Sequence, residues 1–260
     1  MKVLITAGGT AEPIDGVRRI VNTSTGATGA TIARVFAAHG VEVVLLHAED
    51  ALASDIDVDR EAFVTFADLE DALRRRLSED DFDAVIHLAA VSDYSVASIE
   101  IDGDASSFGP DGKIASGHEV LVRLTPNPKL QDSLRSWSRN TAIQIVAFKL
   151  TNEPDPGVRA GKIRKLLDRG TCDLAVHNDL AGITDDRHEA EVWTQRGPIV
   201  RTATKTELAE TLLGLLRENP AQDEDEDHDD RNAQISNPSR HGDGGRTRLH
   251  GIGGHRPGAL

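Results

Sequence analysis

The feature that most constrains this chain is a rhythm. Short apolar runs of strand length recur, and a stretch with helical spacing follows most of them. Residues 3–6 form one such run and end in Ala7-Gly8-Gly9-Thr10, so they read as a buried strand entering a glycine turn. A loop through Pro13, Asp15 and Arg18 leads to a helix over about residues 26–39, which Ser24 or Thr25 can cap and Gly40 ends. Residues 41–46 and 84–89 read as further buried strands, with leucines and alanines at helical spacing over 68–78 between them. The alternation continues with a helix at 128–137, a strand at 143–148, a helix at 158–169 and a strand at 173–176. Two weaker strands at 191–194 and 198–202 and a helix at 205–217 close it.

Buried strands joined by helices are parallel and cross over right-handedly. The expected fold is therefore α/β: a doubly wound, mostly parallel, Rossmann-like sheet in three layers. In such sheets ligands bind at the carboxyl ends of the strands. One stretch departs from the pattern. Residues 95–101 and 119–124 alternate apolar and polar side chains around a Gly/Asp/Ser-rich centre, which predicts a β-hairpin over 95–124 outside the main sheet, a flap or dimerisation arm.

Composition locates the domain and removes some functions. Hydrophobic residues make up 38% of the 260, and the shortfall lies in the last forty or so. Residues 1–218 are thus expected to form one domain. Residues 219–260, with an acidic run at 223–230 broken only by His228, have too little apolar surface to offset chain entropy and are expected to be disordered. Four of the ten histidines lie there, without the spacing or partner cysteines of a metal site. A net charge of −14 argues against a nucleic-acid surface. No apolar run approaches membrane-spanning length. A lone cysteine, Cys172, excludes an internal disulfide framework, and the start Met1-Lys2-Val3-Leu4 lacks a signal-peptide pattern, so the cytoplasm is the expected location. The cations are 22 arginines and seven lysines. That choice fits either a high-salt surface or a GC-rich genome.

The chemistry-bearing residues cluster after strands. The turn Ala7-Gly8-Gly9-Thr10 could let amides approach a phosphate, but the chain has neither GxGxxG nor GxxxxGK[ST]. The only tyrosine, Tyr94, is followed four residues later by Ser98 rather than lysine. Both facts count against an NAD(P)-binding reductase or epimerase, which stays as an alternative beside a non-catalytic nucleotide- or flavin-binding module. Residues 17–29 place Arg18, Asn22, hydroxyls and Gly26 and Gly29 at a helix entrance, where free amides and the helix dipole suit an anion. Asn22 can both donate to and accept from a reacting carboxyl group. Asp93 follows the third strand, where an acid can bind a ribose, a base or a magnesium ion.

Taken in order, several segments carry a resemblance. They are Ile5-Thr6-Ala7-Gly8-Gly9-Thr10, Glu12-Pro13-Ile14-Asp15, Val17-Arg18 through Asn22, Ser24-Thr25-Gly26 and Ala90-Val91-Ser92-Asp93-Tyr94. Lys113-Ile114, Thr125-Pro126-Asn127-Pro128, Ala147-Phe148-Lys149-Leu150 and residues 173–179 complete the set. Over about residues 1–216 the chain resembles phosphopantothenate–cysteine ligase, in its monofunctional bacterial form. The fused form carries an N-terminal flavin-dependent decarboxylase domain, and the expectation is that this chain lacks one.

The resemblance implies that a 4′-phosphopantothenate carboxylate attacks a nucleotide, CTP or ATP with Mg2+, and that cysteine then takes the acyl group. It assigns the acyl-nucleotide to Asn22 and substrate binding to Arg18, Asn22 and Gly26. Nucleotide contacts fall to Gly8, Gly9, Ala89, Asp93, Thr125, Asn127, Pro128 and Phe148. Lys113 would be the flap lysine of a homodimer. Lys165 and Arg169, at helical spacing, would meet phosphates, with Lys162 competing for the place of Lys165. Metal ligands are not assigned. Four of the seven lysines, Lys113, Lys149, Lys162 and Lys165, fall in these segments, as a triphosphate site in an anionic protein requires. The chain departs from the family at Ala27-Thr28, at Ala115-Ser116 and at Ala147.

Overall fold

A computed structural model describes residues 1–52, 56–106, 112–184 and 187–218. The expected tail at 219–260 lies outside them. Residues Met1–Asn219 form one compact unit.

The first half of the main sheet is built from β1 (Lys2–Ala7), β4 (Glu42–Ala48) and β5 (Asp59–Phe63), with a two-stranded hairpin of β2 (Ala11–Pro13) and β3 (Arg19–Val21) inserted after β1. The second half begins with β6 (Ala84–His87). A separate three-stranded sheet follows, made of β7 (Tyr94–Ile101), β8 (Asp104–Ser106) and β9 (Val120–Pro126). The chain then returns through β10 (Gln144–Thr151), β11 (Leu174–Asp179), β12 (Ala190–Thr194) and β13 (Gly197–Thr202).

Across the main sheet the order is β13-β12-β11-β10-β6-β1-β4-β5. The six strands from β11 to β5 are mutually parallel, while β12 and β13 add an antiparallel ribbon. Strand order reverses between β1 and β6. That is the topological switch point, where an open α/β sheet has its ligand crevice.

Helices α1 (Ala27–Ala38) and α5 (Lys205–Glu218) cover one face, and α2 (Phe66–Glu79), the one-turn α3 (Leu134–Trp137) and α4 (Pro156–Leu167) cover the other. Strand alternation feeds both cores. Val3 and Ile5 of β1 pack with Ile32 and Phe36 of α1 and Leu212 of α5, whereas Leu4 points the other way, among Leu69, Leu73 and Ile163. Helix boundaries follow their chemistry. Thr65 caps α2 in a reciprocal box with Asp68, and the Asp155 side chain accepts from the amides of Gly157 and Val158 ahead of α4.

Three expectations differ in detail. The loop at 10–23 contains the β2–β3 hairpin, whose three-residue strands are too short to show alternation. Strand β5 was not expected, because Asp59-Arg60-Glu61-Ala62-Phe63 buries only Phe63 on the sheet edge. The helix expected at 128–137 is a 3-10 turn at Leu130–Asp132 followed by α3, since Leu130 and Leu134 alone anchor it and one turn spans them.

Candidate active site

The crevice floor is made by glycines that meet from two parts of the chain. Gly8 and Gly26 both adopt positive φ, 91° and 71°. A Cβ on Gly26 would lie 3.2 Å from the Gly8 nitrogen, and one on Gly29 would lie 2.6 Å from the Ala7 Cβ. One on Gly9 would collide with the Asn22 carbonyl oxygen at 1.8 Å. Tight turn, close backbone approach and close helix–strand packing are the roles that consecutive glycines play in a dinucleotide fingerprint. Here the hairpin splits them between Gly8-Gly9 and Gly26–Gly29. The residue that caps helix α1 is Gly26, in left-handed conformation and with no side-chain cap bond, not Ser24 or Thr25. The Ser24 and Thr25 oxygens stand 3.4 Å from the amides of Gly26 and Ala27. The first helical amides have no intrahelical partner by construction.

The other wall is the segment after β6. Gly9 bridges Ala90, the Ala90 amide donates to Gly8 O at 2.8 Å, and the Thr10 amide donates to Ala90 O at 3.1 Å. Thr6 Oγ1 accepts from the amides of Leu88 and Ala89, both at 3.1 Å, and contacts His87 Nδ1 at 3.0 Å. Asn22 closes the crevice. Its amide donates to Thr10 O, and Nδ2 donates to Val91 O at 3.1 Å, which aims the side chain across from β3 to the β6 loop. Asn127 ties in the turn after β9. Its Nδ2 donates to Ser92 O at 3.1 Å and its amide to Asp93 O at 2.9 Å.

Gly8, Gly9, Asn22, Gly26, Ala89 and Asn127 are thus brought together. Thr125 pairs with Ser95 on the adjoining arm, Pro128 follows Asn127 exposed, and Asp93 forms an ion pair with Lys129. Phe148, half-buried, sits at the carboxyl-terminal part of β10.

The cations are more dispersed. Arg18 stands at the hairpin tip, four residues from Asn22, or roughly 13 Å at the rise of an extended strand. There it pairs with Asp15 and donates to Ile114 O at 3.4 Å, so it lies beside Lys113 rather than beside Asn22. Lys162 pairs with Glu153 at 3.1 Å, and Lys165 is exposed one turn nearer the end of α4. Arg169 shares no helix face with Lys165, because α4 ends at Leu167, and it pairs with Asp132. A helix after a parallel strand runs back toward the amino ends, so Lys162 is the nearest of the three to the carboxyl edge.

Two groups stand in motifs that gave no sign of their contacts. Asp15, whose side chain is fully buried, joins the hairpin turn to Ile114. Burial pushes its carboxyl up, but the amides of Val17, Ile114 and Arg18 and the Arg18 charge outweigh this and hold it below the ordinary range. Its turn was readable, since an Asp that accepts from amides two and three residues on is a local Asx pattern; the partner 99 residues away was not. At the end of β11, Asn178 Nδ2 donates to Glu189 O at 2.8 Å, and His188 Nε2 lies 3.3 Å from Thr28 Oγ1 in the first turn of α1.

Among the described residues, no three His, Cys, Asp or Glu side chains are grouped to hold a metal ion. Magnesium needs only one or two carboxylates beside substrate phosphates, and Asp93 is the carboxylate that the β6 loop offers. Among the described residues, no helix is long and apolar enough to cross a membrane.

The model of a family described as DNA/pantothenate metabolism flavoprotein C-terminal domain matches residues 1–219. A coenzyme A biosynthesis bifunctional protein CoaBC from Thermococcus kodakarensis is 30% identical over 212 residues, 81% of this chain and 49% of that protein. The chain spans about half the length of the curated relatives it matches. The crystal structure of a DNA/pantothenate metabolism flavoprotein from Streptococcus pneumoniae superposes with a TM-score of 0.74 at 29% identity, covering 84% of this chain and 99% of that one. A Cab2 variant in complex with phosphopantothenate-cysteine shares the fold at a TM-score of 0.67 and 23% identity, covering 85% of this chain and 88% of its own.

Proposed function

The chain belongs to the DNA/pantothenate metabolism flavoprotein C-terminal domain family, and from that premise we propose that it is a phosphopantothenate–cysteine ligase of coenzyme A biosynthesis. The observation that carries this reading is the convergence of Gly8, Gly9, Gly26 and Asn22 with the Ala89–Ala90 backbone at the switch point. In the proposed reaction a carboxylate oxygen of 4′-phosphopantothenate attacks the α-phosphorus of CTP, or less favourably ATP, and pyrophosphate leaves. The cysteine amine then attacks the acyl carbon, loses a proton and expels the nucleoside monophosphate.

The residues have the chemistry for these steps. Glycines without side chains let a phosphate approach the backbone, and the uncapped start of α1 offers amides and a positive dipole end to it. Asn22, already oriented by Val91 O, keeps a second N–H and its oxygen for the acyl group. An amide there polarises the carbonyl without titrating, as an oxyanion donor does. Lys162, Lys165 and Arg169 are the proposed phosphate cations on and after α4, and Arg18 and Lys113 form a second cationic group. Phe148 would pack against the nucleotide, while Thr125, Asn127, Pro128 and Asp93 would border it. Asp93 would be the carboxylate available to a magnesium ion carried in on the triphosphate, and such an ion would supply neutralisation of phosphate charge. We further propose a cytoplasmic homodimer built through the β7–β9 arm.

The test is direct. Purified protein receives 4′-phosphopantothenate, cysteine, magnesium and either CTP or ATP. Pyrophosphate release that requires phosphopantothenate, with phosphopantothenoylcysteine identified by mass, is expected. Failure to release pyrophosphate with any nucleotide would refute the assignment.

A further inference from the structure

Asp15 binds two parts of the molecule that the sequence keeps apart. One carboxylate oxygen accepts from the amides of Val17 at 2.9 Å and Arg18 at 2.8 Å, which fixes the hairpin turn. The other accepts from the Ile114 amide at 3.1 Å and from the Arg18 guanidinium. The Gly16 amide donates to Gly112 O at 2.7 Å, and the guanidinium also reaches Ile114 O. Lys113 therefore sits between two residues whose backbones are fastened to the Asp15–Arg18 turn, with its own side chain exposed. Ile114 is buried beside it, at 2% exposure.

We propose that Asp15 is a positioning residue that holds Arg18 and Lys113 as one unit, so that both cations meet the anionic substrates at a fixed separation. This rests on the ligase reading for what the cations meet. The coupling itself rests on the bonds above. A buried carboxylate with four donors orients each of them, and its removal leaves several donors without a partner. Asp15 need not touch substrate. It acts through the arginine and the lysine, and it restrains them together.

Two measurements test this. The first is amide hydrogen exchange on the full chain. In the wild type the Ile114 amide should be protected far beyond exposed loop amides. In Asp15→Asn it should exchange about tenfold faster or more, while β1 amides keep their protection. Wild-type exchange of Ile114 at the exposed-loop rate overturns the proposal without any variant or any activity. The second is a cycle of Asp15→Asn, Lys113→Ala and the double variant, read as KM and kcat for 4′-phosphopantothenate and nucleotide. Asp15→Asn should raise KM about tenfold with a smaller change in kcat, and the double variant should lose clearly less than the product of the two single losses, the remainder acting through Arg18. Effects that multiply in the double variant would show that Asp15 does not act through Lys113. If the wild type performs no ligation, the ligase reading fails, while the exchange result still decides whether the unit exists.

Discussion

At Gly9 the backbone tolerates only hydrogen, because a methyl group would stand 1.8 Å from the Asn22 carbonyl oxygen. Gly9→Ala must therefore move the strand that carries Asn22. We expect it to lower stability by about 1–3 kcal/mol through the forced shift and to suppress ligation more than its effect on melting accounts for. Asn22→Ala makes the complementary case. It removes one partly buried hydrogen bond, so melting should change little, yet turnover should fall by about 10²-fold or more if the amide stabilises the acyl intermediate. Wild-type turnover in Asn22→Ala would show that the role belongs elsewhere. At this scale much was legible, since the glycines and Asn22 announce themselves by type and order. What their types do not reveal is contact: Arg18 reads as a cation facing substrate, but only the fold shows it engaged with Asp15 and Ile114.

The β2–β3 hairpin is held to the body by a second buried carboxylate. Glu12, 5% exposed, accepts from the Phe66 amide at 2.8 Å through Oε1 and from the Ser95 hydroxyl at 3.1 Å through Oε2. It thus joins the hairpin to the first turn of α2 and to the base of the arm. Glu12→Ala leaves the Phe66 amide without an acceptor, while the Ser95 hydroxyl keeps Asn127 Oδ1 at 3.0 Å, and should destabilise the protein by about 1–3 kcal/mol in chemical denaturation. A change within error would mean that the hairpin is held by its backbone pairing alone. Elements with buried apolar faces were readable, because β1 and β10 are unbroken apolar runs buried on both faces and α2 repeats apolar residues at helical spacing. The hairpin and β5 were not, because three-residue strands and an edge strand with one buried side chain leave no period to find.

The parallel part of the main sheet is two three-stranded halves that meet between β1 and β6, and the chain carries a net charge of −14. Like charges repel across so small a body, so the melting temperature should rise as potassium chloride is raised from about 0.01 M to 1 M and the screening length shortens. A melting temperature that falls over that range would show that screened ion pairs matter more than net repulsion. The meeting of the halves also has a pH signature. Burial pulls the His87 imidazole down to about 4 from its ordinary 6.5. As pH drops below 6.5 the unfolded chain takes up a proton that the folded chain refuses, so stability is lost progressively toward pH 4. The loss is on the order of 3 kcal/mol, and His87→Gln should flatten that part of the profile. Thr6, on the first half, already accepts two amides, so its single hydroxyl hydrogen goes to Nδ1 of His87 on the second, and the imidazole carries its own hydrogen on Nε2. The nitrogen resonances of that ring are therefore a built-in magnetic gauge, able to register the joining of the two halves in solution before any substrate is added.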